Sequence, residues 1–336
     1  MNARTVRAPG RVNLLGEHTD YNGGFVLPVA IDRFTTVEAC SRDDDLFVVE
    51  SVDLGEDDRF RVATAERTGT WRDYVRGVVC ELAPATGANL RIESTVPRGV
   101  GLSSSAALEV AIARALSTLP GPEVALLCQR AENEFVGVRC GIMDQFTAAN
   151  AQAGHALLLD CRDLSFRHIP IPAGVSIVVC DSRVERRLAD SAYNERRDAC
   201  ARAAEALGVP SLREASLEEV DALPPGLRER ARHVVTENAR TLRGAEALAA
   251  DDLVAFGTAM NESHASLRDD FEVCPPALDL LADTVRRVRG CHGARLTGAG
   301  FGGCVVALAD EDAVADVRRA AESRGADVYD CRSRAR

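Results

Sequence analysis

Apolar runs with strand-like spacing crowd the first hundred residues of the chain. FVLPVAI (25–31), TTVEAC (35–40), LFVVES (46–51) and LRIEST (90–95) read as strands, and VNLL (12–15) as a shorter one. A helix-like piece covers Trp71–Leu82. From Ser104 the period turns helical, with Ala107, Val110, Ile112 and Leu116 at helix-compatible spacing. A further helix is predicted over Pro122–Phe135, stopping near Gly137. The prolines and glycine of IPIPAGVSIVVCDS (169–182) mark a crossing into a second domain near residue 170. Beyond it the chain is mainly helical. Val235, Ala239, Leu242, Ala245 and Ala249 form an apolar stripe, bounded by Pro224-Pro225 and Pro275-Pro276. The chain closes as strand, Gly-rich turn, strand, helix and strand (293–331). Both halves mix strands with helices, so the expected class is α+β with two domains, 1–168 and 169–336.

Composition narrows the partners. At 336 residues and 46% hydrophobic, the chain can bury a substantial core. A net charge of −11 with no basic stretch argues against a nucleic-acid partner. No apolar run approaches the roughly 18 residues that span a bilayer, and MNARTVRAPG lacks the apolar centre of a signal peptide. The eleven cysteines are scattered singly. The expectation is a reduced, cytoplasmic protein with free thiols.

All 40 basic residues are arginine. With no lysine there is no G-x-x-x-x-G-K-[ST] phosphate loop, no protein-kinase strand lysine and no Schiff-base lysine. Any ATP chemistry here rests on backbone amides, hydroxyls, arginine and a metal.

Three stretches gather polar residues beyond what local structure needs. In GRVNLLGEHTDYNGG (10–24) the turn is served by Tyr21-Asn22-Gly23-Gly24 alone, leaving Arg11, Glu17, His18 and Asp20 to be explained. They are either capping and strand-edge residues or a gathered ligand set. In VPRGVGLSSSAALEV (96–110) two glycines and three serines lead into a helix. A helix start with close backbone approach suits phosphate, and serines there are equally ordinary N-caps. In AENEFVGVRCGIMDQF (131–146) Glu132 and Asp144 are twelve residues apart, about 120° out of phase on one helix. Gly137 and Gly141 allow the chain to fold back. Asp144, flanked by apolar residues, is either an N-cap or an acid with a partner or a task.

GAGFGG (298–303) satisfies G-x-G-x-x-G and raises a nicotinamide-dependent dehydrogenase as a rival. That fingerprint must open a helix, whereas CVVALA continues here as a strand. A glycine-rich hairpin is the better reading.

GRVNLLGEHTDYNGGFVLP closely resembles the signature of the galactokinase family. GVGLSSSAA resembles the phosphate loop of the superfamily that also holds homoserine, mevalonate and phosphomevalonate kinases. LTGAGFGG resembles that superfamily's third motif, and CGIMDQF its catalytic segment in the galactokinase branch. The motifs run in order from about Ala8 to Asp310. Val100 and Ala299 stand where glycine or alanine and glycine are usual, and the lead before the signature is shorter than usual.

The resemblance implies a ribosomal-protein-like N-terminal domain and a ferredoxin-like C-terminal domain with the active site between them. It implies phosphorylation of the anomeric hydroxyl of galactose by ATP. Glu17, His18, Thr19 and Asp20 would meet the sugar, joined by Gly141 and by Tyr193 from SAYNERR. A ring of hydroxyls needs several fixed donors and acceptors, which suits these residues. Asp144 would act as base, with Arg11 beside it offsetting developing charge. Gly99, Val100, Gly101, Leu102, Ser103, Ser104 and Ser105 would wrap the ATP phosphates, with Ser51 and Trp71 toward the nucleotide. Ser105 and Glu132 would hold Mg²⁺. The remaining expectations are a monomer and small-molecule partners. The alternatives are a kinase for N-acetylgalactosamine or arabinose, and a non-catalytic galactose and ATP sensor.

Overall fold

The computed structural model describes residues 3–184 and 189–331, without the side chains of residues 189–191. The chain opens with strands β1 (Ala3–Asn13), β2 (Phe25–Val26), β3 (Pro28–Ser41), β4 (Leu46–Ser51) and β5 (Glu56–Arg61). Helix α1 (Arg72–Leu82) and strand β6 (Ala88–Ser94) precede helices α2 (Ser104–Leu116), α3 (Gly121–Arg130) and α4 (Met143–Asn150). Strands β7 (His155–Asp160), β8 (Phe166–Pro170) and β9 (Val175–Asp181) lead to helices α5 (Ala189–Leu207), α6 (Leu217–Asp221) and α7 (Leu227–Ala249). Helices α8 (Leu253–Asp269) and α9 (Pro276–Arg286), strands β10 (Cys291–Thr297) and β11 (Cys304–Asp310), helix α10 (Val314–Glu322) and strand β12 (Asp327–Cys331) complete it.

Contacts divide the chain into two compact units. The first takes the chain up to Arg11 with Ala30–Arg98 and Leu102–Ala151; the second takes Val12–Val29, Gly99–Gly101 and the chain from Gln152 onward. The sequence suggests one cut at 168. The contacts instead change units at 151/152, and β1 and β3 each have residues in both units.

In the first unit β1 pairs β3, which pairs β6 antiparallel; β6 pairs β4 parallel, and β4 pairs β5. Alternation sets the faces. Ala88, Leu90 and Ile92 of β6 point inward while Asn89, Arg91 and Glu93 face water. Helix α2 is buried nearly all round, through Ala107, Val110, Ile112 and Ala113 among others, so its sequence shows little amphipathic contrast. β5 was not legible in the sequence because EDDRFR is charged at every position but Phe60. It turns Phe60 and Asp58 inward, and Asp58 pairs with Arg76 at 2.7 Å.

In the second unit β2 and β8 flank β7, and a separate antiparallel sheet runs β10-β11-β9-β12. β11 is apolar and buried from Cys304 to Ala309. It forms a core with Val178 and Cys180 of β9, Leu278, Leu281 and Val285 of α9, and Val317 and Ala321 of α10. β11 follows the Gly-rich turn directly as a strand, which disposes of the dehydrogenase fingerprint. The stripe read on α7 is only partly its buried face: Ala245 is buried, while Val235 and Leu242 are half-buried. Ala239 and Ala249 are exposed, and the helix buries Ala231, Val234 and Leu248 together with His233, Glu237, Arg240 and Thr241. A polar network occupies much of that face. None of the eleven cysteines is joined in a disulfide. Among the described residues no helix is long and apolar enough to cross a membrane.

Candidate active site

The first unit holds an acid-rich cluster. Gly10 lets β1 press against the start of α2: a Cβ there would lie 2.7 Å from the Leu102 carbonyl, which accepts the Arg11 N–H at 3.1 Å. This fixes Arg11, 5% exposed, against α4. Its Nε donates to Asp144 Oδ1 at 2.7 Å and its Nη2 to Oδ2 at 2.5 Å, a bidentate pair. Asp144 lies in the first turn of α4 and makes no cap bond, so the N-cap reading fails. Its third bond comes from the Ser103 hydroxyl, at 2.5 Å from Oδ2.

Glu132 sits in a π-helical turn, Ala131–Val136, closed by Gly137 in the left-handed region. The Gln145 amide donates to Glu132 Oε2 at 2.5 Å and to Glu109 Oε2 at 3.1 Å, and the Cys140 thiol lies 3.5 Å from Glu132. Burial pushes both glutamates upward in pKa, reinforced for Glu132 by the Asp144 charge and for Glu109 by Glu132. Ser104 and Ser105 are half-buried in the first turn of α2. Gly99 and Gly101 take φ of 76° and 89°, left-handed values that favour glycine. Ser51 is buried at the end of β4, and Trp71 Nε1 donates to Glu56 at 2.8 Å.

The second unit holds a closed cluster around the 14–24 turn. Glu17, 2% exposed, accepts on Oε1 from the Gly298 N–H at 2.7 Å and from Thr297 at 3.1 Å. Arg295, fully buried, lies 3.6 Å from Glu17 and 4.0 Å from Glu237. Glu237 accepts from Gly16 N–H, Ser263 and Arg240 Nε at 2.9, 2.6 and 2.8 Å. Burial opposes its charge, but Arg240, His233 and Arg295 outweigh that and bring it to about 2. His233 donates from Nε2 to the Glu17 carbonyl at 3.1 Å while Nδ1 meets Ser266.

The His18 ring packs on Phe271, Tyr193 and Tyr21, with centroids 4.5, 5.7 and 5.9 Å away. Burial lowers it to about 3, so it is neutral; Nδ1 bonds Tyr21, and Nε2 is buried without a hydrogen-bond partner among the described residues. Thr19 turns its hydroxyl into the turn, against the Gly16 and Phe25 carbonyls. Asp20 is half-buried in the short 3₁₀ turn Asp20–Asn22. Gly141, in the first unit, is buried just ahead of α4.

Three comparisons bear on these clusters. Residues 2–41 match the galactokinase galactose-binding signature, 73–152 the GHMP kinases N-terminal domain and 245–327 the GHMP kinases C-terminal region. The chain is 52% identical to a galactokinase of Roseiflexus sp. (strain RS-1), over 98% of this chain and 90% of that one. It is 51% identical to one of Chloroflexus aggregans, over 93% and 85%.

The chain belongs to the galactokinase family.

A crystal structure of Lactococcus lactis galactokinase complexed with galactose matches with a TM-score of 0.93 at 37% identity, covering 98% of this chain and 93% of that one. A mevalonate kinase matches at TM-score 0.71 and 21% identity, covering 98% of each chain, which marks the mixed helix-and-sheet GHMP kinase fold. Within this galactokinase-family chain, sequence reasoning missed Gln145, Glu109, Arg295, Glu237 and Thr297. Gln145 adjoins Asp144 and was within reach. The others lie far along the chain from the residues they serve and carry no local signal.

Mg²⁺ takes oxygen ligands, and the first-unit cluster fits it. Glu132 is 6% exposed, bonded among the described residues only to uncharged groups, and close to further acids. His264, Cys274 and Asp279, whose ligand atoms lie within 4.8 Å of one another, fit a metal less well. Leu296 N–H donates to His264 Nδ1 at 3.1 Å, which leaves the neutral ring's proton on Nε2, aimed at Asp279.

Proposed function

We propose that the protein transfers the γ-phosphoryl group of ATP to the anomeric hydroxyl of D-galactose, giving galactose 1-phosphate and ADP. The reading is carried by one conjunction: a galactose-binding signature and an arginine-clamped, part-exposed aspartate in a single galactokinase-family chain. Asp144 takes the proton of the anomeric hydroxyl as that oxygen attacks phosphorus, and the bond to the ADP oxygen breaks. Arg11 holds the carboxylate in place and offsets charge as it develops. His18, Asp20, Tyr193 and the Gly141 backbone meet the sugar, and Glu17, whose Oε1 is taken by Gly298 and Thr297, has its Oε2 to offer; His18 Nε2, without a partner among the described residues, supports a polar ligand there. The Thr19 hydroxyl shapes the turn that carries Glu17, His18 and Asp20. The loop Gly99–Ser105 wraps the phosphates and Ser51 lies toward the nucleotide. Ser105 and Glu132 are the residues to hold Mg²⁺, which when bound neutralises phosphate charge. Eleven thiols outside any disulfide support a reducing, cytoplasmic setting, and the protein would work there as a monomer.

The test is ADP release with MgATP across galactose, glucose, N-acetylgalactosamine and arabinose, with the product's phosphorylated carbon located by NMR. Galactose should be turned over fastest, at C1. Equal turnover of galactose and glucose would remove the hydroxyl-reading roles of His18 and Asp20, and no ADP release with any sugar would favour a sensor.

A further inference from the structure

Ser103 occupies the N-cap position of α2, where a serine ordinarily accepts a backbone N–H, yet it makes no such bond. Its backbone is left-handed, φ 59° and ψ 48°, a region that disfavours residues with a Cβ and that glycine adopts freely. The residue is 8% exposed, and its hydroxyl donates to Asp144 Oδ2, the oxygen that also receives Arg11 Nη2. Glycine would relieve the backbone here and a cap bond would reward serine, but neither describes this position. What the serine supplies is a donor to Asp144.

We infer that Ser103 is a positioning residue for the carboxylate of Asp144, serving the proton acceptor through its side chain and leaving ATP to the backbone of its loop. The inference rests on Asp144 being the base. With Arg11 holding both oxygens from one side, the Ser103 hydroxyl fixes the rotation of the carboxylate from another. The acceptor oxygen therefore meets the sugar hydroxyl in one orientation, and misplacement of a reacting group is costly to the chemical step.

The position offers an unusual test, because the substitution that removes the hydroxyl also removes the backbone strain. Ser103→Gly, Ser103→Ala and Asp144→Asn are compared in the full chain by steady-state kinetics and thermal melting. Ser103→Gly should lower kcat about ten- to hundred-fold, the range for losing a hydrogen bond to a charged group. KM for ATP should stay within about two-fold, and Tm should equal or exceed that of the wild type. Ser103→Ala should lose kcat by a similar factor. A raised KM for ATP with kcat preserved would assign the hydroxyl to the nucleotide and overturn the inference. So would wild-type kcat in Ser103→Gly, or a Tm falling along with kcat, which would mark a structural role. If Asp144→Asn keeps its turnover, the base reading fails and takes this inference with it. If Asp144→Asn is inert while Ser103→Gly matches the wild type, only the role of Ser103 fails.

Discussion

Two acid–arginine clusters in this chain are built on opposite terms. Around Arg295 the side chains are sealed: Arg295, Glu17 and Glu237 are 0, 2 and 0% exposed, and two arginines balance two glutamates. Around Arg11 the cluster is acid-rich and part-open. Among the described residues one arginine faces Asp144, whose side chain is 29% exposed, while Glu132 and Glu109 lie nearby with no arginine bonded to them. A sealed, balanced network fixes a shape, because any broken member strands a buried charge. An open cluster short of positive charge leaves a reactive carboxylate accessible and suits a cation. The first describes a scaffold for the 14–24 turn; the second has the openness and charge that the proposed chemistry needs.

The sharpest way to break this contrast is to remove one charge from each side. Glu237→Gln leaves Arg240 and Arg295 without their shared carboxylate and should cost about 3–5 kcal/mol of stability by denaturant melting. A loss below 1 kcal/mol would mean the network is solvated and not sealed. Gly10→Ala comes next. Its methyl would meet the Leu102 carbonyl at 2.7 Å and Val96 Cγ1 at 2.8 Å, an overpacking worth about 1–3 kcal/mol. It should also lower turnover by displacing Arg11; unchanged kinetics would show that β1 yields freely. Glu132→Gln should leave the melt in Mg²⁺-free buffer level or raise it, since it relieves an excess of acid. The Mg²⁺ needed for half-maximal turnover should rise, and galactose affinity should hold. A fall in galactose affinity as large as the change in metal dependence would make Glu132 a sugar-facing or structural residue.

The smallest effect is a difference in pH response. Burial, then Asp144, lifts Glu132 to about 7 from 4.5. The folded form therefore keeps a proton that the unfolded chain has lost between those values, and acidification from pH 7 toward 4.5 stabilises the first cluster. Burial depresses His18 to about 3 and His233 to about 4, from 6.5. Their contribution is complete above pH 6.5 and is lost as pH falls toward 4. Hydrogen-exchange protection, corrected for intrinsic rates and measured without Mg²⁺, should shift in favour of α2 and α4 over α7 and β10 between pH 7 and 5. The reverse shift would contradict the assignment of charge states.

How far the sequence could be read follows from the same contrast. Local patterns sufficed for α1, α2 and the closing strand–turn–strand–helix–strand run, because period and punctuation are local properties. They failed where a pattern was interrupted by function or by distant pairing. VNLL reads as a strand, but β1 ends at Asn13. Leu14 and Leu15 instead bond through their backbones to Leu27 in a buried turn. The helix read through Phe135 widens into a π turn at Ala131, an insertion that periodicity does not register and that places Glu132 inside. Arg11 against Asp144, 133 residues apart, was legible only through the galactokinase resemblance. The partners of Glu17 lie about 280 residues away on β10 and just beyond it, and no spacing in the sequence points to them.

The central claim is that the open cluster performs the chemistry while the sealed one shapes the end that receives sugar. Asp144→Asn tests it most directly, with turnover, galactose binding by calorimetry and a thermal melt measured on the same preparation. The account predicts a folded protein whose turnover falls by about 10²-fold or more and whose galactose affinity changes only modestly. A folded variant with near wild-type turnover, or one that loses galactose binding in proportion to its turnover, would contradict it.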